Sequence, residues 1–181
     1  HLDEACWSAK TNGVELLDRG GATDASTQVQ VCFDQQYLYF GLRCQKAAGI
    51  PYPESPAARK RDAELDRHDR VQLLIDVDRD YATSYRLTVD SRGCTHDQLW
   101  MDATWDPVWY VATADTQTHW MCELAIRLDA LSDQKRTEDR LWACGVQRIL
   151  PGKGFQSWSH PASIEVDPSG FGHLQLPLTI E

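Results

Sequence analysis

The stretch Asp69-Arg70-Val71-Gln72-Leu73-Leu74-Ile75-Asp76, followed after Asp78-Arg79-Asp80 by Tyr85-Arg86-Leu87-Thr88-Val89-Asp90, decides the fold class. Val71, Leu73 and Ile75 alternate with Gln72 and Leu74, and Tyr85, Leu87 and Val89 alternate with Arg86 and Thr88. A period of two sends successive side chains to opposite faces of a strand, so the pair reads as a hairpin with an aspartate-rich tip. The same rhythm recurs on either side. Val29, Val31 and Phe33 share a face in Thr27–Phe33, and Asp34-Gln35-Gln36 turns the chain into 37–44, where Leu38, Phe40 and Leu42 share a face. Further strands are expected at 95–101, 109–114, 119–127, 141–150 and 172–178, with one short helical turn around 129–132. The expectation is an all-β sandwich of two mostly antiparallel sheets, jelly-roll or immunoglobulin-like, with short helical turns.

Two stretches interrupt the rhythm. Residues 45–68 contain Pro51, Pro53 and Pro56 and a mixed-charge run, and 151–170 contain three prolines, three glycines and Trp158. Connections this long either shape a ligand site or move.

The 181 residues suit a single domain, read over 1–181 as one excised from a larger protein. With 18 basic against 27 acidic side chains the net charge is −9, the wrong field for nucleic acid or an anionic membrane. No apolar run approaches the ~20 residues that span a bilayer, so no membrane insertion is expected. The six cysteines include no Cys-x-x-Cys pair, and both disulfides and free core thiols remain open. No His-Glu-x-x-His, Gly-x-Ser-x-Gly or phosphate-cradling loop occurs, so an enzyme is not expected, although two carboxylates at the right separation would suffice for a glycosidase.

A series of motifs in order carries a resemblance. They are Leu2-Asp3-Glu4-x-x-Trp7, then Val29-x-Val31-x-Phe33-Asp34 with Leu38-Tyr39-Phe40-Gly41-Leu42-Arg43-Cys44, the Asp69 to Asp76 and Tyr85 to Asp90 strands with Gly93 and Asp97, Trp120-x-x-Glu123-x-Ala125-Ile126, residues 142–148, Trp158-Ser159-x-Pro161, and the closing Asp167-Pro168-x-x-Phe171-Gly172-x-Leu174. Together they resemble the family 9 carbohydrate-binding modules over nearly the whole chain. The resemblance implies a non-catalytic sugar-binding sandwich, extracellular, periplasmic or on the cell surface, tethered to other domains, with carbohydrate as partner. It also implies structural calcium and a grip on a polysaccharide end between two tryptophans. The family's strand glutamate falls on Gln72, its arginine on Arg86 and its late glutamine on Gln147. The two clamp tryptophans are replaced, one by Leu65-Asp66-Arg67-His68 and the other by Ile164-Glu165-Val166. Tyr52, Trp100, Trp105, Trp109 and Trp158 are the aromatics that could supply another platform.

Strand parity gives an independent reading. If Val71, Leu73, Leu87, Val89, Trp120, Leu124, Trp142 and Val146 point inward, then Gln72, Arg86, Glu123 and Gln147 point outward. These four would line one sheet surface, either as a sugar site of mixed donors and acceptors or as a solvated face with an Arg86–Glu123 ion pair. Arg148 has inward parity and must find acceptors. In Trp105-Asp106-Pro107-x-Trp109 one tryptophan is expected in the core and the other is a candidate platform. Asp76, Asp78 and Asp80 are spaced like the acidic part of a calcium loop, or form a solvated tip. A second function class is a haem-binding electron-transfer domain of similar sandwich fold, with Met101, Met121, His68 and His160 as axial candidates. A third is a structural or interaction sandwich that has lost sugar binding.

Overall fold

The computed structural model describes residues 7, 13–19, 25–131, 141–158 and 170–176. Twelve strands follow one another: β1 (Val14–Glu15), β2 (Leu17–Arg19), β3 (Thr27–Phe33), β4 (Tyr37–Gln45), β5 (Arg70–Asp76), β6 (Tyr85–Asp90), β7 (Thr95–Leu99), β8 (Trp109–Asp115), β9 (His119–Arg127), β10 (Leu141–Leu150), β11 (Gly154–Ser157) and β12 (Gly172–Gln175). One helical turn, α1 (Leu128–Leu131), follows β9. The strands form a five-stranded sheet in the order β1-β3-β4-β9-β8 and a seven-stranded sheet in the order β2-β11-β10-β5-β6-β7, with β12 also pairing β10. All the pairings are antiparallel. The chain is an all-β sandwich.

Alternation explains the layering. Leu38, Phe40, Leu42, Trp120, Cys122, Leu124 and Ile126 come from the five-stranded sheet, and Val71, Leu73, Ile75, Leu87, Val89, Trp142 and Val146 from the seven-stranded one; all are buried in one core. Each set occupies every second position of its strand, so the two inner faces meet and the residues between them point away. The short strands β1, β2 and β11 were not expected, because two to four residues are too few to show a period.

The long 45–68 connection is held against the edges of the sandwich. The Thr95 N–H donates to the Lys60 carbonyl (3.0 Å) and the Ala63 N–H to the Thr95 carbonyl (3.1 Å), which pairs the segment with the free edge of β7. Arg61 then reaches Asp97 through Nε (3.1 Å) and Nη2 (2.9 Å), and the Trp109 indole N–H donates to the same carboxylate (3.1 Å). This ties the strap to β7 and β8, one edge strand from each sheet, and covers unpaired strand edge.

The cysteines resolve as thiols. Cys32, Cys44, Cys94, Cys122 and Cys144 are free, and Cys6 lies outside the described residues. Burial pushes the Cys44 thiol up to about 12 and raises those of Cys122 and Cys144, so these behave as small core side chains.

Candidate functional site

The two faces of the seven-stranded sheet treat charge differently. On the inner side, Arg148 of β10 is completely buried. Its Nε and Nη2 donate to the two oxygens of Asp69 (2.9 and 2.5 Å), Nη2 also to the Gln45 carbonyl (2.7 Å), and Nη1 to Thr27 Oγ1 (2.8 Å) and the Ser26 carbonyl (3.2 Å). Every guanidinium N–H therefore has an acceptor. Asp69 in turn accepts from the Tyr52 hydroxyl (2.8 Å) and the Trp120 indole (2.9 Å). These partners come from both sheets and from the 45–68 strap, so the inward arginine is a structural rivet, as its parity requires.

On the outer side, the register brings the candidate residues into rows. Gln147 of β10 stands opposite Gln72 of β5, Gln72 opposite Thr88 of β6, and Thr88 opposite His96 of β7. The next row runs Gly145, Leu74, Arg86 and Gln98. Gln72, Arg86 and Gln147 thus share one surface. Glu123 does not: it lies on β9 between Gly41 and Ala112, in the other sheet. Parity sent it outward, but outward from the five-stranded sheet means the opposite side of the molecule. An Arg86–Glu123 ion pair and a single surface of four polar groups are both excluded.

This outer surface is not an ordinary solvated face. Thr88 and Gln147 are each 3% exposed, and Leu74, an outward residue, is buried. Phe171 covers the middle: a Cβ on Gly145 would stand 2.9 Å from its ring. A glycine inside a strand signals such a close approach, and that was the clue in the sequence to Phe171.

Arg86 is half-buried here, with its Nε out of contact with water and without a hydrogen-bond partner among the described residues. Burial alone pulls its pKa below the ordinary arginine value, and no carboxylate raises it back. Beside it, Gln98 donates through Nε2 to the Trp100 carbonyl (2.5 Å).

The aromatic candidates separate by environment. Trp105 packs on Tyr85 with ring centroids 4.8 Å apart, and Tyr85 has inward parity. Trp109 also points inward, opposite Ile126, and its indole is bonded to Asp97. Trp158 lies over Gly172, whose Cβ would meet its ring at 3.4 Å, and Gly172 pairs with the inward Cys144. All three pack against the core cluster. Each of the three is only partly buried, one part of the ring packed on the core and the rest open to solvent, as an amphipathic tryptophan allows. Tyr52 is committed to Asp69 and to the Ala47 N–H. Of the clamp positions, Leu65 is buried and His68 half-buried at the start of β5; residues 164–166 lie outside the described residues.

Asp76, Asp78 and Asp80 come together at the β5–β6 tip, each offering an oxygen within 4.8 Å of the others. Hard carboxylate oxygens at this separation suit calcium in type. They already cap the tip, however: Asp76 accepts the N–H groups of Arg79 (2.7 Å) and Tyr81 (2.9 Å), and Asp80 those of Ala82 and Thr83 (both 2.8 Å). Burial, with Asp78 alongside, raises the Asp76 pKa, which is the strain that a bound cation would relieve.

The described haem-ligand candidates are dispersed. Met101 follows β7 at one end of the seven-stranded sheet, His68 precedes β5 at the other, and Met121 faces outward from the five-stranded sheet. His160 is not among the described residues. No two of the described candidates face each other across a space for a macrocycle. Among the described residues, no helix is long and apolar enough to cross a membrane.

No protein-family profile matches the sequence, and no curated protein matches it. Solved structures do. A family 9 carbohydrate-binding module from Caldicellulosiruptor kristjanssonii in complex with cellotriose superposes with a TM-score of 0.68 at 14% identity, covering 95% of this chain and 85% of that one. Its complex with glucose gives 0.69 at 14% identity, with 96% and 87% covered. A candidate carbohydrate-binding protein from Bacteroides uniformis gives 0.67 at 11% identity, with 93% and 87% covered. At such identities the shared feature is backbone architecture: the chain has the fold of the family 9 carbohydrate-binding modules.

Proposed function

We propose that this domain binds carbohydrate without catalysis, on the outer face of the seven-stranded sheet. Arg86 and Gln72 contact the sugar, and Gln147 stands behind Gln72. The observation that carries the reading is the half-buried side chain of Arg86, whose enclosed Nε has no hydrogen-bond partner among the described residues. A half-desolvated donor without an acceptor is unfavourable in the free protein and gains most from a ligand rich in hydroxyl acceptors. Gln72 adds an amide that both donates and accepts, as a sugar hydroxyl does. Solved structures of the same fold hold cellotriose and glucose, which supports this ligand class.

The same reading makes the ligand a polysaccharide or its chain end. It places the domain outside the cell or at its surface, tethered to other domains. Asp76, Asp78 and Asp80 would hold a structural calcium at the tip.

Titration calorimetry against a panel of mono- and oligosaccharides, with and without calcium, tests the proposal. Saturable binding that Arg86→Ala weakens by about 1.5–3 kcal/mol, with an unchanged melting temperature, supports it. Binding that is indifferent to Arg86→Ala removes Arg86 from the site, and silence across the panel favours a sandwich that has lost its sugar.

A further inference from the structure

Six of the seven tryptophans lie against the core: Trp7, Trp120 and Trp142 are buried, and Trp105, Trp109 and Trp158 are partly buried and packed on it. Trp100 is the exception, 57% exposed in the turn after β7. Its backbone is unusual too. It has φ of 51°, in the left-handed region that bulky residues seldom occupy. Two hydrogen bonds hold it there, its N–H donating to the Ser84 carbonyl (2.8 Å) and its carbonyl accepting from Gln98 Nε2 (2.5 Å).

The ring borders a cleft of about 330 Å³ at the end of the seven-stranded sheet. Val77, Tyr85 and Leu99 give the cleft an apolar wall, and Asp78 and Asp102 place carboxylates on it. The cleft lies at the end of β6, the strand that carries Arg86, with the inward Tyr85 and Leu99 in its wall. Ser84, which holds Trp100, is two residues from Arg86 on β6, roughly 6.6 Å along the strand. Gln98, which also holds it, stands directly opposite Arg86.

We propose that Trp100 is the aromatic platform of a second sugar subsite, beyond the end of the strand that carries Arg86, which takes a pyranose unit of an oligosaccharide. The inference rests on the sugar-binding reading above. A pyranose has an apolar C–H face and a rim of hydroxyls, and the cleft offers both complements: an exposed indole for the face, and carboxylate acceptors for the rim. The net charge of −9 and these carboxylates argue against an anionic occupant such as a phosphorylated or uronic acid unit. The neutral sugar at this end would also explain how the fold binds with neither clamp position occupied by tryptophan in 65–68 or 164–166.

The test compares wild type, Trp100→Asn, Trp100→Phe and Arg86→Ala by calorimetry. The probes are glucose, xylose, mannose and galactose and their β-linked trisaccharides. Asparagine removes the ring yet tolerates the left-handed backbone, and thermal melting of each variant checks the fold. The expected result is that Trp100→Asn weakens trisaccharide binding about three- to tenfold, leaves monosaccharide affinity unchanged, and is largely rescued by Trp100→Phe. Arg86→Ala weakens both. If Trp100→Asn binds the trisaccharide like wild type while Arg86→Ala loses it, the platform is overturned and the sugar-binding reading stands. If wild type binds no probe, the sugar-binding reading falls and takes the platform with it.

Discussion

Arg148 and Arg86 sit on the same sheet, on β10 and β6 either side of β5 and with opposite parity, and their surroundings could hardly differ more. Arg148 faces inward, excluded from water, with every N–H group bonded and Asp69 as counter-charge. Arg86 faces outward, half-desolvated, with a buried Nε that bonds nothing among the described residues. Burying a charge is tolerable only when its partners come with it, so the first arrangement holds the two sheets together. The second is left incomplete by the protein itself, which is what a site for an external hydrogen-bonding ligand requires.

The largest effect should come from breaking the inner arrangement. Asp69→Ala leaves the Arg148 charge buried without compensation and should cost about 3–5 kcal/mol in urea unfolding. The double variant Asp69→Leu with Arg148→Met removes both charges and should recover much of that loss; equal destabilisation by single and double variants would show that packing, not charge, holds this region. Trp142→Ala, which empties inner-face volume away from the ion pair, should cost a similar ~3–5 kcal/mol, and a variant that melts like wild type would contradict its inward placement.

The outer arginine should behave in the opposite way. Arg86→Leu removes an unsatisfied polar group, so stability should stay within about 0.5 kcal/mol of wild type or rise, while sugar affinity falls. A substantial loss of stability would mean that Arg86 has a structural partner after all.

A smaller effect concerns pH. Burial, and the Arg92 charge next, hold the His68 pKa below its ordinary value of 6.5. The unfolded chain therefore takes up the proton first, and stability that is complete above pH 6.5 declines as pH falls through the native pKa. His119 shifts in the same direction, through burial and Arg43. Unfolding free energies measured between pH 7.5 and 5 should decline, and His68→Gln should flatten part of that slope; an identical slope would place the sensitivity elsewhere.

The smallest expected effect is that of reducing agent. Because the described cysteines are thiols, dithiothreitol should leave the melting temperature unchanged. A clear drop would reveal a disulfide.

Much of this arrangement was legible in the residues. The alternation of Val71, Leu73 and Ile75 with Gln72 and Leu74 placed β5 and its faces, and the same rule gave β9 and β10 to the residue. The inward parity of Arg148 demanded a buried acceptor, and Asp69 supplies it. Leu74 went unrecognised because a buried outward residue depends on a distant segment, Phe171, folding back over Gly145.

Sequence by itself therefore determined the longer strands, their faces and the class of sandwich, because a two-residue period is a local property of the backbone. Only the tertiary structure decided which sheet each strand joined and what covered its outer face. Glu123 and Arg86 share outward parity, yet lie on opposite sides of the molecule, since sheet membership comes from hydrogen bonds between strands far apart in the chain. For the same reason the seven tryptophans looked alike until packing buried Trp7, Trp120 and Trp142, set Trp105, Trp109 and Trp158 partly buried against the core, and left Trp100 in the open.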